Sequence, residues 1–451
     1  MRTLKRPNLL RWPAVVAGVA VVALALAGCG GSGTSVTAAG SGSAVDVNAA
    51  LQKGGQITVW AWEPTLKTVV ADFQKKYPKV TVKLVNAGTG NDQYTALQNA
   101  MKAGSGVPDV AQIEYYALPQ FVLSKSVADL APYGASSLKS TFSTGPWTSV
   151  NTNGGVYALP MDSGPMALFY NKSVFAKYGV AVPKTWQEYV AAARKLHAAN
   201  PKVYIANDTG DAGFTTSMIW QAGGKPFQVS GQKVKINLQD AGSQQFATMW
   251  NTLISEHLLA PVGSWSDQWY TGLGNGSIAS LAIGAWMPAN LESGVASGAG
   301  KWAVAPLPQW QSTGATASSE NGGSSLAVPA ASQQKALAYG FMKYADVQDG
   351  VQARVDGGAF PATTADLTSS AFLNKAFAYF GGQKINQVLS QSAKDVVPGW
   401  SYLPYQVYAN SVFKDTVGQA YTGKTNLLSG LKAWQDTLVT YGTQQGFSVN
   451  K

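Results

Sequence analysis

Between residues 56 and 113 the hydrophobic pattern switches repeatedly between a period of two and a period near 3.6, and this constrains the fold more than any other feature. Residues 56–62 form a short β-rich run, and residues 65–77 carry Leu66, Val69, Val70 and Phe73 at helical spacing. Pro78 ends that helix, and Val80–Val85 alternates as a second strand. A strand, a helix and a further strand predict a right-handed parallel crossover. Another helix over 94–103, a turn over 104–108 and a strand over 109–113 extend the pattern. The predicted fold class is therefore α/β, with helices on both faces of a sheet.

The alternation resumes later in the chain. Residues 167–170 read as a strand, and Thr185 with Glu188 forms a capping box for a helix through His197. Residues 277–285 and 325–328 read as strands, Ser332 as the cap of a helix to Tyr344, and the last third as mostly helical. The roughly 400 residues beyond residue 50 exceed what one hydrophobic core usually supports, so two domains are expected.

Charge and cysteine content exclude several classes. Only 12% of residues are charged, and no basic run is interleaved with aromatics, so nucleic acid is not an expected partner. His197 and His257 lie far apart, so neither a metal centre nor a cofactor is expected. The first residues carry Arg2, Lys5, Arg6 and Arg11, followed by an apolar run to Ala27 that is short for a membrane span. This is the layout of a signal peptide over 1–28, and losing its four basic residues takes the net charge from +10 to +6. Leu26-Ala27-Gly28-Cys29 resembles the lipobox of bacterial lipoproteins. The resemblance implies lipid attachment, such as a palmitoyl chain, at Cys29 and a lipid-anchored place outside the cytoplasm. The Gly/Ser/Thr-rich composition after Cys29 predicts a flexible tether over 29–54.

An ordered set of short motifs carries a second resemblance. Ile57-Thr58-Val59-Trp60, Phe73-Gln74-Lys75-Lys76-Tyr77-Pro78 and Gly106-Val107-Pro108-Asp109-Val110 come first. Gly155-Val156-Tyr157-Ala158-Leu159-Pro160 follows, then Tyr170-Asn171-Lys172 and Thr185-Trp186. Ala305-Pro306-Leu307-Pro308, Gly322-Gly323 and Gly358-Ala359-Phe360-Pro361 complete it. Together these resemble the extracellular solute-binding proteins of ABC importers, particularly the sugar-binding type. The resemblance implies a periplasmic-binding-protein-like fold of two discontinuous α/β lobes, hinged and closing on a ligand. It places lobe one at 55–165 and 306–362, and lobe two at 166–305 and 363–451. It also implies a monomer that delivers a mono- or oligosaccharide to ABC permease subunits and does no catalysis.

Tryptophan content favours a sugar, because the C–H face of a pyranose can lie on an indole while planar polar groups bond its hydroxyls. Trp62, Trp286 and Trp400 lie at strand ends or in loops, where open α/β sheets place ligands. Trp220 is a further candidate; Trp186, Trp250 and Trp434 read as core. Glu63, Glu114 and Asp162 match places where the family puts polar sugar contacts, and each reads equally as a cap or solvated loop acid. Tyr115 or Tyr116 offers a ring beside Glu114, and Asp211 with Phe214 offers second-lobe contacts. Asn321, Gly322 and Gly323 offer exposed backbone N–H groups or a plain turn, and Arg354 reads as a cleft or a surface residue. The rival readings are a secreted glycoside hydrolase, which needs two carboxyl groups at set separation, and a sugar sensor without transport. No Gly-x-Ser-x-Gly, P-loop or His-Glu-x-x-His motif favours an enzyme.

Overall fold

The parallel crossover expected near the N-terminus is present in the computed structural model, which describes residues 45–152, 154–311 and 316–451. Strand Gly55–Trp60 pairs in parallel with Val80–Val85 on one side and with Val110–Glu114 on the other. Helix Leu66–Lys76 makes the first crossover, burying Leu66, Val69, Val70 and Phe73, and helix Asn91–Ala103 makes the second. The first-lobe sheet is completed from far along the chain. Ser324–Ala327 runs antiparallel to Val110–Glu114 and also pairs with Leu159–Pro160.

The second lobe is built around Met166–Asn171, flanked antiparallel by Ser280–Gly284 and Trp302–Ala305. Its helices include Trp186–Ala199, where Thr185 accepts from the Glu188 N–H as in a capping box, while the Glu188 carboxylate reaches back to the Lys184 N–H instead of that of Thr185. The lobes meet where three chain crossings lie side by side: Asp162 bridges Pro361, and Pro165 bridges Glu320. One apolar core lies in the first lobe and two in the second.

Four expectations change. The tether does not extend to residue 54, because Val47–Lys53 is a helix capped by Asp46, with Leu51 packed against Gly340. Leu51 is buried and Val47 packs beside it on the first-lobe core, contacts that composition alone does not reveal. The second crossing is not at residue 306: Leu307 and Trp310 pack in the second lobe, and the chain crosses at 320–323. Val351, Val355 and Phe360 likewise belong to a second-lobe core although they fall in the 306–362 segment. Ser332 is not the helix cap itself. Its hydroxyl accepts from Gln334 N–H, one residue before helix Lys335–Val347, and donates to Asp109. Cys29 and the signal segment lie outside the described residues. Among the described residues, no helix is long and apolar enough to cross a membrane.

Candidate ligand cleft

The site is a cavity of about 840 Å³ between the lobes, within the size range of small-molecule pockets. From the first lobe, the loop after Gly55–Trp60 brings Trp62 and Glu63 to its wall. Buried Gln112 holds that loop, its side-chain oxygen accepting from the Trp62 and Glu63 N–H groups at 3.0 and 3.1 Å. The Gln112 amide then donates to Ser324 on the returning strand, so two chain segments hold the loop that carries Trp62. Glu63 also accepts from the Thr65 N–H at 3.0 Å, so it steadies the helix entry while lining the cleft.

Glu114 ends the third strand and accepts from Tyr94 Oη at 2.9 Å. Burial pushes its pKa up to about 7, opposed by hydrogen bonds with Tyr94 and Tyr116 and reinforced by Asp162 and Asp211. Asp162, in the first crossing, accepts from Ser324 and is raised to about 6, again chiefly by burial. On the opposite wall Asp208 accepts from Trp250 Nε1 at 2.9 Å and Tyr421 Oη at 2.7 Å, and burial raises it to about 6. Asp211 caps helix Ala212–Gln221 through the Phe214 N–H, and Phe214 lies beside it in the wall. Among the described residues the cleft is thus lined by five carboxylates and by no lysine, arginine or histidine.

The second lobe contributes Trp286, whose indole Nε1 donates to the carbonyl oxygen of Asn321 at 2.7 Å. Gly284 and Gly322 leave room for that ring; a Cβ would stand 2.5 and 2.9 Å from its nitrogen. Gly322 and Gly323 have φ of 80° and 94°, so the turn of the crossing requires glycine. Asn321 is bound on three sides, by Trp286, Gly164 and Ser217.

Eleven of the expected residues therefore meet in one cleft: Trp62, Glu63, Glu114, Tyr116, Asp162, Asp211, Phe214, Trp286, Asn321, Gly322 and Gly323. Three do not line it. Tyr115 is buried and donates to the Asp162 carbonyl oxygen at 2.6 Å. Trp220 and Trp400 stack on each other 5.0 Å apart and 5° from parallel, Trp220 donating to the Val397 carbonyl oxygen. The stack covers one face of each indole, and neither ring lines the cavity. Arg354 is neither a cleft nor a surface residue; it is 2% exposed and paired with buried Asp346 at 3.1 Å.

Other wall residues escaped the sequence reading. Gln112, Asp208, Trp269 and Tyr402 carry no local motif, and Trp250 shows the cleft one edge while being packed in the core, as its helical spacing indicated. Trp265 had a usable signal, since an indole inside Pro261-Val262-Gly263-Ser264-Trp265-Ser266 stands in a turn-rich segment with little to bury it.

This geometry can be set beside known proteins. A model of the bacterial extracellular solute-binding protein family matches residues 61–352. The ABC transporter associated binding protein from B. animalis subsp. lactis Bl-04, solved in complex with β-1,6-galactobiose, is 46% identical. Its TM-score is 0.82, covering 88% of this chain and 99% of that one. The galacto-N-biose-/lacto-N-biose I-binding protein of the ABC transporter from Bifidobacterium longum, solved with lacto-N-biose, is 26% identical with a TM-score of 0.78 over 88% and 99% of the two chains. The lactose-binding protein of Rhizobium radiobacter is 27% identical over 350 residues, 74% of this chain and 81% of that protein. The two-lobed fold, the three crossings and the matched span lead to one conclusion: the chain belongs to the bacterial extracellular solute-binding protein family.

Proposed function

We propose that the protein is the capture component of an ABC importer, taking up a neutral mono- or oligosaccharide outside the cytoplasm, passing it to permease subunits and catalysing nothing. The observation that carries this is the composition of the cleft: indoles on both walls, Trp62 on one side and Trp286 on the other, with carboxylates between them. Indole faces accept the apolar C–H face of a sugar, and carboxylates accept its hydroxyl hydrogens. The known sugar complexes of similar proteins support the same class of ligand. A ligand held by both lobes favours the closed state by its differential affinity for it.

We also propose that the protein is monomeric and held at the membrane by lipid on Cys29, with the following Gly/Ser-rich residues as spacer. Anchoring keeps the receptor concentrated near its transporter. Changing Cys29 to Ala is expected to move the protein from the membrane fraction to the soluble fraction; retention at the membrane contradicts the anchor.

The test of function is calorimetric titration with β-1,6-galactobiose, lacto-N-biose and lactose, followed by chromatography of the incubated sugar. Saturable binding with the sugar recovered intact is expected. A shortened sugar contradicts the assignment and favours a glycoside hydrolase.

A further inference from the structure

The two ends of the first-lobe sheet carry opposite charge. The cleft takes Trp62, Glu63 and Glu114 from the C-terminal ends of Gly55–Trp60 and Val110–Glu114, so the N-terminal ends of these parallel strands form a pole facing away from it. Four chain segments bring an exposed lysine to that pole. Lys53 ends helix Val47–Lys53 just before Gly55, and Lys79 precedes Val80, the residue paired with Gly55. Lys102 stands in the last turn of helix Asn91–Ala103, which descends to the turn before Val110. Lys125 precedes Ser126, whose carbonyl oxygen accepts from the Ala330 N–H, just past the end of Ser324–Ala327 that lies at this pole.

Among the described residues none of these four lysines has a carboxylate within ion-pair distance. The carboxylates at this end are engaged elsewhere. Asp72 pairs with Lys75 and Asp349 with Lys76, each at 2.8 Å. Asp109 accepts from the Thr58 N–H and Ser332 Oγ, and Asp129 from the Ala131 and Val156 N–H groups. These six lysines outnumber the four carboxylates, so the pole is positive while the cleft end holds five carboxylates and no cation. The proposed anchor enters beside the same pole. Helix Val47–Lys53 rises only about 10 Å from Lys53 to its start, where the Val45 N–H donates to the Pro132 carbonyl oxygen. Residues 29–44, which hold no charged side chain, separate this point from Cys29.

We infer that the basic pole of the first lobe docks on an anionic lipid surface, the membrane beside which the proposed anchor holds the protein. The inference rests on that anchor for its setting and adds a second attachment to it. One acyl chain binds a bilayer only marginally, and a cluster of basic residues is the kind of second signal that makes attachment stable. Each lysine held near anionic headgroups strengthens binding about fivefold. Docking by this pole stands the cleft about one strand length, ~20 Å, from the bilayer. That exceeds the Debye length of about 8 Å at physiological salt, so the cleft carboxylates escape repulsion by the lipid. Docking by the cleft end would press those carboxylates toward the headgroups. The lysines come from separate segments with no interleaved aromatic run, which suits a flat headgroup layer and not a nucleic-acid groove.

The experiment is vesicle flotation with the Cys29→Ala protein, which keeps the pole and lacks the lipid site, so its outcome does not depend on the anchor. Vesicles are phosphatidylcholine alone, or phosphatidylcholine with phosphatidylglycerol at about three to one. At about 0.1 M salt the protein is expected to bind the anionic vesicles at least tenfold more tightly than the neutral ones, and to lose most of that preference at about 0.5 M. Adding Lys53→Gln, Lys79→Gln, Lys102→Gln and Lys125→Gln together is expected to weaken anionic-vesicle binding at least tenfold. The matched set Lys202→Gln, Lys235→Gln, Lys414→Gln and Lys424→Gln, all exposed on the second lobe, is expected to leave it within threefold. Thermal melts check that both sets fold, and the pairs Lys53→Gln/Lys79→Gln and Lys102→Gln/Lys125→Gln, each expected to weaken binding at least threefold, replace the first set if it does not. No preference for anionic vesicles overturns the inference. So does equal loss in the two sets, which traces binding to net charge alone, or tighter binding to a DNA duplex than to the vesicles. The anchor itself stands or falls separately, on where the Cys29→Ala protein fractionates in cells.

Discussion

The indole N–H of Trp286 is hydrogen bonded to the carbonyl oxygen of Asn321, 2.7 Å away, joining a second-lobe aromatic directly to the crossing segment that leads into the first-lobe strand Ser324–Ala327. This ring of the cleft wall is therefore positioned by the crossing itself.

Trp286→Ala is expected to weaken sugar binding more than tenfold, a loss of about 1.4 kcal/mol or more, without unfolding the protein. Calorimetric titration alongside a thermal melt checks it. Unchanged affinity removes Trp286 from the site.

Buried carboxylates in the cleft wall, together with Glu320 buried at the crossing against Ser163 and Gly164, make stability depend on pH in an unusual direction. Burial raises Glu114 and Glu320 to about 7, and Asp162 and Asp208 to about 6, from ordinary values of 4.5 and 3.8. Between those values the folded protein binds more protons than the unfolded chain, so this contribution to stability is complete below about pH 4 and is lost as pH rises through 6 to 7. The exposed carboxylates Glu256, bonded to Arg194, and Asp436, bonded to Lys432 and Lys451, are shifted the other way and lose their smaller contribution only in stronger acid. The ligand-free protein is expected to melt about 2 °C or more higher at pH 5 than at pH 8, and Glu114→Gln to reduce the difference. Scanning calorimetry across that range checks it, and a melting point that rises from pH 5 to pH 8 contradicts it.

Arg354 and Asp346 form an ion pair in which both side chains are buried. Removing the cation strands the carboxylate, so Arg354→Ala is expected to cost about 3–5 kcal/mol. Replacing both partners with apolar residues of similar size is expected to cost less than the single change. Denaturant melts of the three proteins measure this; equal losses contradict the pairing.

Net charge and cleft charge point in opposite directions. The chain carries +10 formally, yet the described cleft wall holds Glu63, Glu114, Asp162, Asp208 and Asp211 with no cation. Like charges across a desolvated cleft repel. A galacturonate-containing disaccharide is therefore expected to bind at least tenfold more weakly than its neutral counterpart, with the penalty shrinking as buffer pH falls from 8 to 5. Equal affinity in a paired titration contradicts this.

Much of the fold was legible because local pattern and tertiary role agree. Val80–Val85 has its expected bounds because its alternating residues face alternately in and out. The cap at Thr185 is there because its bonds are local. The candidate site was legible where position along a strand decides exposure, as at Glu63, Glu114 and Trp286. It was not legible where a partner distant in sequence decides it. Trp400 looked like a loop aromatic free for a ligand, and only the fold brings Trp220 against it. Residues 47–53 read as tether because the neighbour that gives Leu51 a place to pack is Gly340, on a distant helix. The second crossing was misplaced for a similar reason: the Ala305-Pro306-Leu307-Pro308 motif resembled a crossing of the family, while Leu307 is held in the second-lobe core.

The most direct test of sugar capture between Trp62 and Trp286 is an intrinsic tryptophan fluorescence titration with β-1,6-galactobiose, in wild type and in the Trp62→Ala/Trp286→Ala double variant. A saturable change in wild type that is lost in the folded double variant, with the disaccharide recovered intact, is the expected result. A saturable change that survives the loss of both indoles, or a disaccharide cleaved during the titration, contradicts the account.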